Sequence, residues 1–298
     1  MISLKQINYA LAAERTLHFK KAAEYCSVSQ SALSTALSEL EKSLGFQIFE
    51  RNNKQVLVTP PGRQFLSKAR EVKLLMDEIE KLGSAVQGEL SATLSVGIIP
   101  TICPYLLPIV LPRLQREYPA LELKISEEQT HVLLEQVRSG DLDTAIIALP
   151  YHCGNLLTFS FWEEKFLWIT QKQDTRAKRS SISSDEIDPG QLMLLQDGHC
   201  LKEHALSACQ LSEKSVQHLG ATGLNTLVQL VASGMGTTFA PKMAMSQLVL
   251  SNPALACVPL SEPGPHREIA FAVRPNYPGV RNIQLLMELF ASELARHQ

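Results

Sequence analysis

The sequence predicts an α/β protein in two parts: a small winged helix-turn-helix followed by one long helix, and then a larger α/β body. Three observations predict it. Three short helical patterns near the start end in a leucine stripe that lies opposite small polar residues. Apolar residues then recur every seven positions, at Phe65, Val72, Ile79 and Val86. Beyond these, strand and helix patterns alternate as βαβαβ. At 298 residues, with 45% hydrophobic and 19% charged side chains, the chain is long enough for more than one domain.

Charge divides along the same line. Residues 1–88 carry 12 Lys and Arg against 9 Asp and Glu, whereas residues 89–298 carry 16 against 21. A basic front on an acidic body points to an anionic partner for the front. No leader pattern stands at Met1 and no apolar run is long enough to span a bilayer. A cytoplasmic location without a membrane partner is therefore expected. The six cysteines, at 26, 103, 153, 200, 209 and 257, show no CxxC spacing. Free thiols and no metal site are expected. There is no P-loop, no glycine fingerprint after a strand and no nucleophile elbow, which argues against an enzyme.

The first helix is read over Leu4–Thr16, with Ile7, Ala10, Leu11 and Leu17 near one face. The second, His18–Cys26, is alanine-rich and carries Lys20 and Lys21. Ser29 caps the third, Gln30–Leu44. Leu33, Leu37, Leu40 and Leu44 form its buried stripe, and Gln30, Ser31, Ser34 and Thr35 face the other way. Short hydrogen-bonding side chains at the start of a helix suit base edges in a major groove. The turn at Asn52 and Asn53 predicts a two-stranded wing, with Arg51 and Lys54 placed for phosphates. A plain helical bundle fits the same pattern.

The segment "FKKAAEYCSVSQSALSTALSELEKSLGFQIFERNNKQVLVTPPG" resembles the DNA-binding signature of LysR-type transcriptional regulators. The likeness includes the paired alanines, Leu40-Glu41 and Leu44-Gly45, Phe49 and Arg51, and Thr59 and Gly62. It differs at Thr35 and Ala36, where many members have Arg or Lys. The resemblance implies double-stranded DNA as partner. It further implies a DNA-binding domain over 1–62, a dimerising linker helix over 63–89, and an effector domain over 90–298. A dimer suits paired half-sites, a tetramer is implied by the family, and so is contact with RNA polymerase.

In the body, "ATLSVGIIP" reads as a strand and "YLLPIVLPRLQREYP" as a helix. A strand, a helix and a strand follow in "LELKISEE", "THVLLEQVRSG" and "LDTAIIAL", so a parallel sheet is expected. A second run starts at "FLWITQ" and passes through "LMLLQ", "LNTLVQLVAS" and "TTFAP". "REIAFAVRP" reads as a strand returning to the first lobe, and 280–296 as a terminal helix. By resemblance the body is a two-lobed, periplasmic-binding-protein-like domain, with lobe I over about 90–162 and 268–298 and lobe II over about 163–267. A cleft is expected between them.

The stretch "QDGHCLKEHALSACQ" holds Cys200 and Cys209. Buried structural thiols, metal ligands and a redox pair are all open on composition alone. With Asp197 as cap, Gly198–Cys209 reads as a helix that puts Cys200 in its first turn. The dipole there, with His199, lowers the thiol pKa. Nine helical residues advance roughly 13 Å and turn about 900°, so the two thiols face opposite ways. A disulfide needs Cα atoms within about 7 Å, so bridging them requires the segment to refold.

"LLQDGHCLKEHALSAC" resembles the sensor segment of the peroxide-responsive LysR-type regulators, and the likeness extends over nearly the whole chain. It implies Cys200 as the thiol attacking hydrogen peroxide and Cys209 as the resolving thiol. Thr101, Thr130 and His199 match positions lining the peroxide pocket, and Arg267 matches one supporting Cys200. Glu203 stands where such members have Asp, and His266 where a second Arg is usual. Cys103 replaces a Gly as a competing thiol, and Gly223 replaces a Ser in the cleft. No cofactor is implied, and a glutaredoxin or thioredoxin would reset the switch. The remaining readings are a metabolite-sensing LysR-type regulator with incidental cysteines, and a thiol peroxidase.

Overall fold

The structure is a computed structural model that describes residues 2–52, 55–85, 90–209 and 221–297. It separates into two compact units, Met1–Val86 and Gln87–Gln298.

The first unit packs α1 (Leu4–Thr16), α2 (Phe19–Tyr25) and α3 (Gln30–Leu44) around an alanine- and leucine-rich core. Each start is capped: Ser3 forms a capping box with Gln6, and Ser29 Oγ accepts the Ala32 N–H. Leu33, Leu37 and Leu40 are fully buried, whereas Leu44 is half-buried. Leu17 departs from the expected face: it takes the left-handed φ of 45° that ends α1, and it is exposed.

The wing strands β1 (Phe49–Asn52) and β2 (Gln55–Val58) are antiparallel, with Phe49 opposite Val58. Glu41 explains its place in the motif, because its Oε1 accepts both the Ile48 and Phe49 N–H groups and ties the wing to α3. Thr59 Oγ1 accepts the Gly62 N–H. A Cβ on Gly62 would stand 2.2 Å from the Ile48 carbonyl oxygen, so only glycine fits there.

The long helix α4 (Pro60–Ala85) begins three residues earlier than the expected linker, since proline is well suited to a first turn. Its first turns bury Leu66 and Ala69 against the small domain. Farther along, Val72, Leu75 and Ile79 are 38%, 59% and 59% exposed, an unpaired apolar row at coiled-coil spacing. Val86, the last member of the heptad series, lies outside the described residues.

Among the described residues, the second unit holds two sheets and two hydrophobic cores. β3 (Thr93–Ile98), β4 (Glu122–Glu127) and β5 (Thr144–Leu149) are mutually parallel around β3, linked by α5 (Cys103–Glu117) and α6 (Thr130–Ser139). The chain leaves along β6 (Leu157–Glu164) and returns on β10 (Arg267–Val273), giving the order β4-β3-β5-β10-β6. The expected parallel sheet is thus mixed, because β10 runs antiparallel to both its neighbours. The end of β6 pairs Glu164 with Arg267, so the two residues where the chain crosses belong to this first sheet.

The second sheet, β8 (Thr238–Pro241), β7 (Phe166–Gln171) and β9 (Leu255–Pro259), is antiparallel throughout. "LMLLQ" joins no named strand and makes single bridges at Leu192 and Leu195. Next come α7 (Cys200–Ala208), α8 (Leu224–Ala232), a short α9 (Met245–Leu248) and the terminal α10 (Val280–Arg296). No helix among the described residues is long and apolar enough to cross a membrane.

Candidate functional site

Three helices begin at one place in the second unit. Thr101 and Cys103 stand at the start of α5, Thr130 is the first residue of α6, and Cys200 is the first of α7. None of the three has a side-chain cap among the described residues. In α5 the Cys103 and Tyr105 N–H groups bond the Ile99 and Ile102 carbonyls and Pro104 has none, which leaves the starts of α6 and α7 to offer N–H groups to an anion.

Arg267 lies buried among them. Its Nε and Nη2 donate to Glu164 Oε2 at 2.9 and 2.6 Å. Nη1 donates to Thr101 Oγ1 at 3.1 Å and Nη2 to the Thr101 carbonyl at 3.2 Å. Because Thr101 Oγ1 accepts this bond, its own proton is free to donate. Glu164 Oε1 accepts the Met243 N–H at 2.9 Å, so the ion pair also holds the first turn of the segment after β8.

Cys200 is buried, and burial pushes its thiol up. The Arg267 charge and the Thr130 hydroxyl pull the other way, and Glu203 opposes them. The lowered pKa expected from the helix start is therefore overturned, because loss of water outweighs the favourable charges. The Thr130 hydroxyl is buried with no hydrogen-bond partner within normal range among the described residues.

His199 precedes α7 as its cap residue and bonds the Thr222 backbone. Burial holds its imidazole below the usual range, so it is neutral and supplies no cationic charge to Cys200. The expected cap, Asp197, instead pairs in solvent with Lys202 at 2.6 Å. Glu203 is exposed and acts on Cys200 by repulsion alone.

Gly198 has φ +92°, and a Cβ there would meet Gln129 Oε1 at 2.6 Å. Gly198→Ala is expected to cost about 1 kcal/mol in urea unfolding, most of it backbone strain. Gly223 differs: a Cβ there meets nothing within 4 Å, so no steric reason excludes a larger residue.

Cys209 ends α7 with its N–H bonded to the Ala205 carbonyl, which keeps the helix closed between the thiols. Cys200 packs in the first core and Cys209 in the second. Burial and Glu262 push the Cys209 thiol up to about 12. Burial and Glu127 push Cys103 to about 12 as well. Cys26, Cys153 and Cys257 are raised by burial too.

His266 is satisfied on both ring nitrogens: Nδ1 accepts the Phe166 N–H at 2.8 Å and Nε2 lies 3.3 Å from the Glu262 carbonyl. His204, missed in the sequence, is different. Its Nε2 lies 3.0 Å from the Pro150 carbonyl, while Nδ1 is buried without a hydrogen-bond partner among the described residues. The available signal was its position four residues after Cys200. Among the described residues no three His, Cys, Asp or Glu side chains group as metal ligands.

In the first unit, Gln30, Ser31 and Thr35 are exposed along one end of α3, and Ser34 is half-buried beside them. Lys20 and Lys21 are exposed on α2. Lys54 and the side chain of Arg51 lie outside the described residues.

Two family models match the chain. Residues 4–63 match the bacterial regulatory helix-turn-helix protein, lysR family, and residues 87–295 match the LysR substrate binding domain. The chain is similar to the HTH-type transcriptional regulator EstR of Acinetobacter baylyi, 33% identical over 96% of this chain and 95% of that one. It is 34% identical to a hydrogen peroxide-inducible genes activator of Dickeya chrysanthemi, over 93% and 91% of the two chains. A full-length OxyR point variant from Pseudomonas aeruginosa has the same architecture, with TM-score 0.81 and 33% identity over 97% and 95% of the two chains.

Proposed function

The chain belongs to the LysR family of bacterial transcriptional regulators, and from that premise we propose that it is a cytoplasmic hydrogen-peroxide sensor switched by a Cys200–Cys209 disulfide. The observation that carries this reading is Cys200 itself. It lies where the uncapped starts of α6 and α7, the Arg267 guanidinium and the buried Thr130 hydroxyl meet. These groups suit a thiolate attacking one peroxide oxygen and a hydroxide leaving from the other.

The products are a sulfenic acid on Cys200 and water. The Cys209 sulfur then attacks the sulfenic sulfur, a second water leaves, and the S–S bond forms. Nine residues of closed helix hold the thiols apart by roughly 13 Å, so the bond requires α7 to come undone. Each thiol is also anchored in a different core, so the change pulls one core against the other. A thiol reductant of the glutaredoxin or thioredoxin type reverses it.

Output passes to paired winged helices. Gln30, Ser31, Ser34 and Thr35 read base edges, while Lys20, Lys21, Arg51 and Lys54 hold phosphates. The exposed row Val72, Leu75 and Ile79 on α4 is covered by a second copy, and tetramer formation and RNA polymerase contact complete the regulator.

A similar identity to EstR favours a second reading, a regulator of another signal with incidental cysteines. Peptide mapping of peroxide-treated protein under non-reducing conditions separates the two. A 200–209 bridge is expected. Its absence, with Cys200 still alkylatable, would sink the peroxide reading.

A further inference from the structure

Cys200 is buried and its thiol form is favoured, so it must shed a proton before it can act. The described groups beside it are poor acceptors. Arg267 is a donor engaged with Glu164 and Thr101, Glu203 is exposed, and His199 is half-buried where His204 is buried.

His204 is suited to the task. A carbonyl only accepts, so the 3.0 Å contact to Pro150 fixes the proton on Nε2. Nδ1 then carries the lone pair, and it is buried with no partner among the described residues. The residue follows Cys200 by four positions on α7, which brings the two Cβ atoms to about 5–6 Å. Helical side chains lean toward the N-terminus, so the imidazole leans over the turn that holds the thiol.

We propose that His204 is the proton acceptor and donor of the peroxide reaction, a role that rests on Cys200 being the attacking thiol. Nδ1 takes the thiol proton as the sulfur bonds to one peroxide oxygen. The O–O bond breaks, and the departing hydroxide recovers that proton from Nδ1 as water. Cys200 keeps the other oxygen as S–OH, so one thiol and one peroxide give one sulfenic acid and one water, with His204 unchanged.

The surroundings agree. Arg267 acts on both the His204 ring and the Cys200 sulfur, and Tyr151, which follows the Pro150 that His204 contacts, lies near enough to feel Cys200 and Glu203. Burial, with a smaller contribution from Arg267, holds the imidazole below its usual range, so Nδ1 is unprotonated near neutral pH.

His204→Gln is the discriminating variant, because the Gln amide can still donate to the Pro150 carbonyl but has no basic nitrogen. Sulfenic acid formation is followed in the full chain by rapid mixing with hydrogen peroxide, from pH 6 to 9, with a Cys200→Ser control. His204→Gln is expected to react about 100-fold more slowly at pH 7 and to gain rate steeply as pH rises. His204→Leu should be as slow, with the same steep profile. Equal rates and parallel profiles for wild type and His204→Gln would overturn the proton-transfer role while leaving the sensor intact. No sulfenic acid on wild-type Cys200 would overturn both.

Discussion

Cys200→Ser is expected to bind DNA like the wild type and to lose every response to hydrogen peroxide. Serine matches the size of the thiol, so the first core and the start of α7 should persist. Its hydroxyl, however, neither ionises in this range nor is oxidised by peroxide. The wild-type footprint should change on oxidation and the variant footprint should not, at any peroxide concentration that leaves the protein folded. Cys209→Ser should differ in kind: sulfenic acid forms on Cys200 and persists, because the resolving thiol is gone.

The largest expected effect on stability is at Arg267. Arg267→Met leaves the buried Glu164 carboxyl without its guanidinium partner, with the Met243 N–H still on its other oxygen. Breaking a buried pair from one side costs about 3–5 kcal/mol, measurable by urea unfolding. Glu164→Met with Arg267→Met should recover much of that loss, because no uncompensated charge then remains. Both variants should react slowly with peroxide, since the thiolate has lost the cation that favours it. Recovery of stability without recovery of reactivity would separate the two roles of the guanidinium.

The helices were the legible part of the sequence. Gln30–Leu44 and Val280–Arg296 carry apolar residues at helical spacing over four or more turns, and both form where the pattern places them. The sheet was harder to read. β10 resembles any buried strand, and nothing local records that it returns antiparallel. β6 alternates between exposed and partly buried residues at a sheet edge, so its apolar signal is weak.

The site was legible in residue type and not in electrostatics. The positions of Thr101, Thr130, Cys200 and Arg267 come together. The direction of the Cys200 pKa could not be read, because it depends on how much water the fold removes. His204 carried no motif. Its interest comes from the Pro150 carbonyl, 54 residues away, which fixes the tautomer.

Amide hydrogen exchange across residues 199–209, in the reduced and peroxide-treated full chain, tests the switch most directly. Oxidation is expected to form the 200–209 bond and to strip protection from the α7 amides, while those of α10 stay protected. A 200–209 disulfide formed with α7 protection unchanged would contradict the coupling of oxidation to refolding.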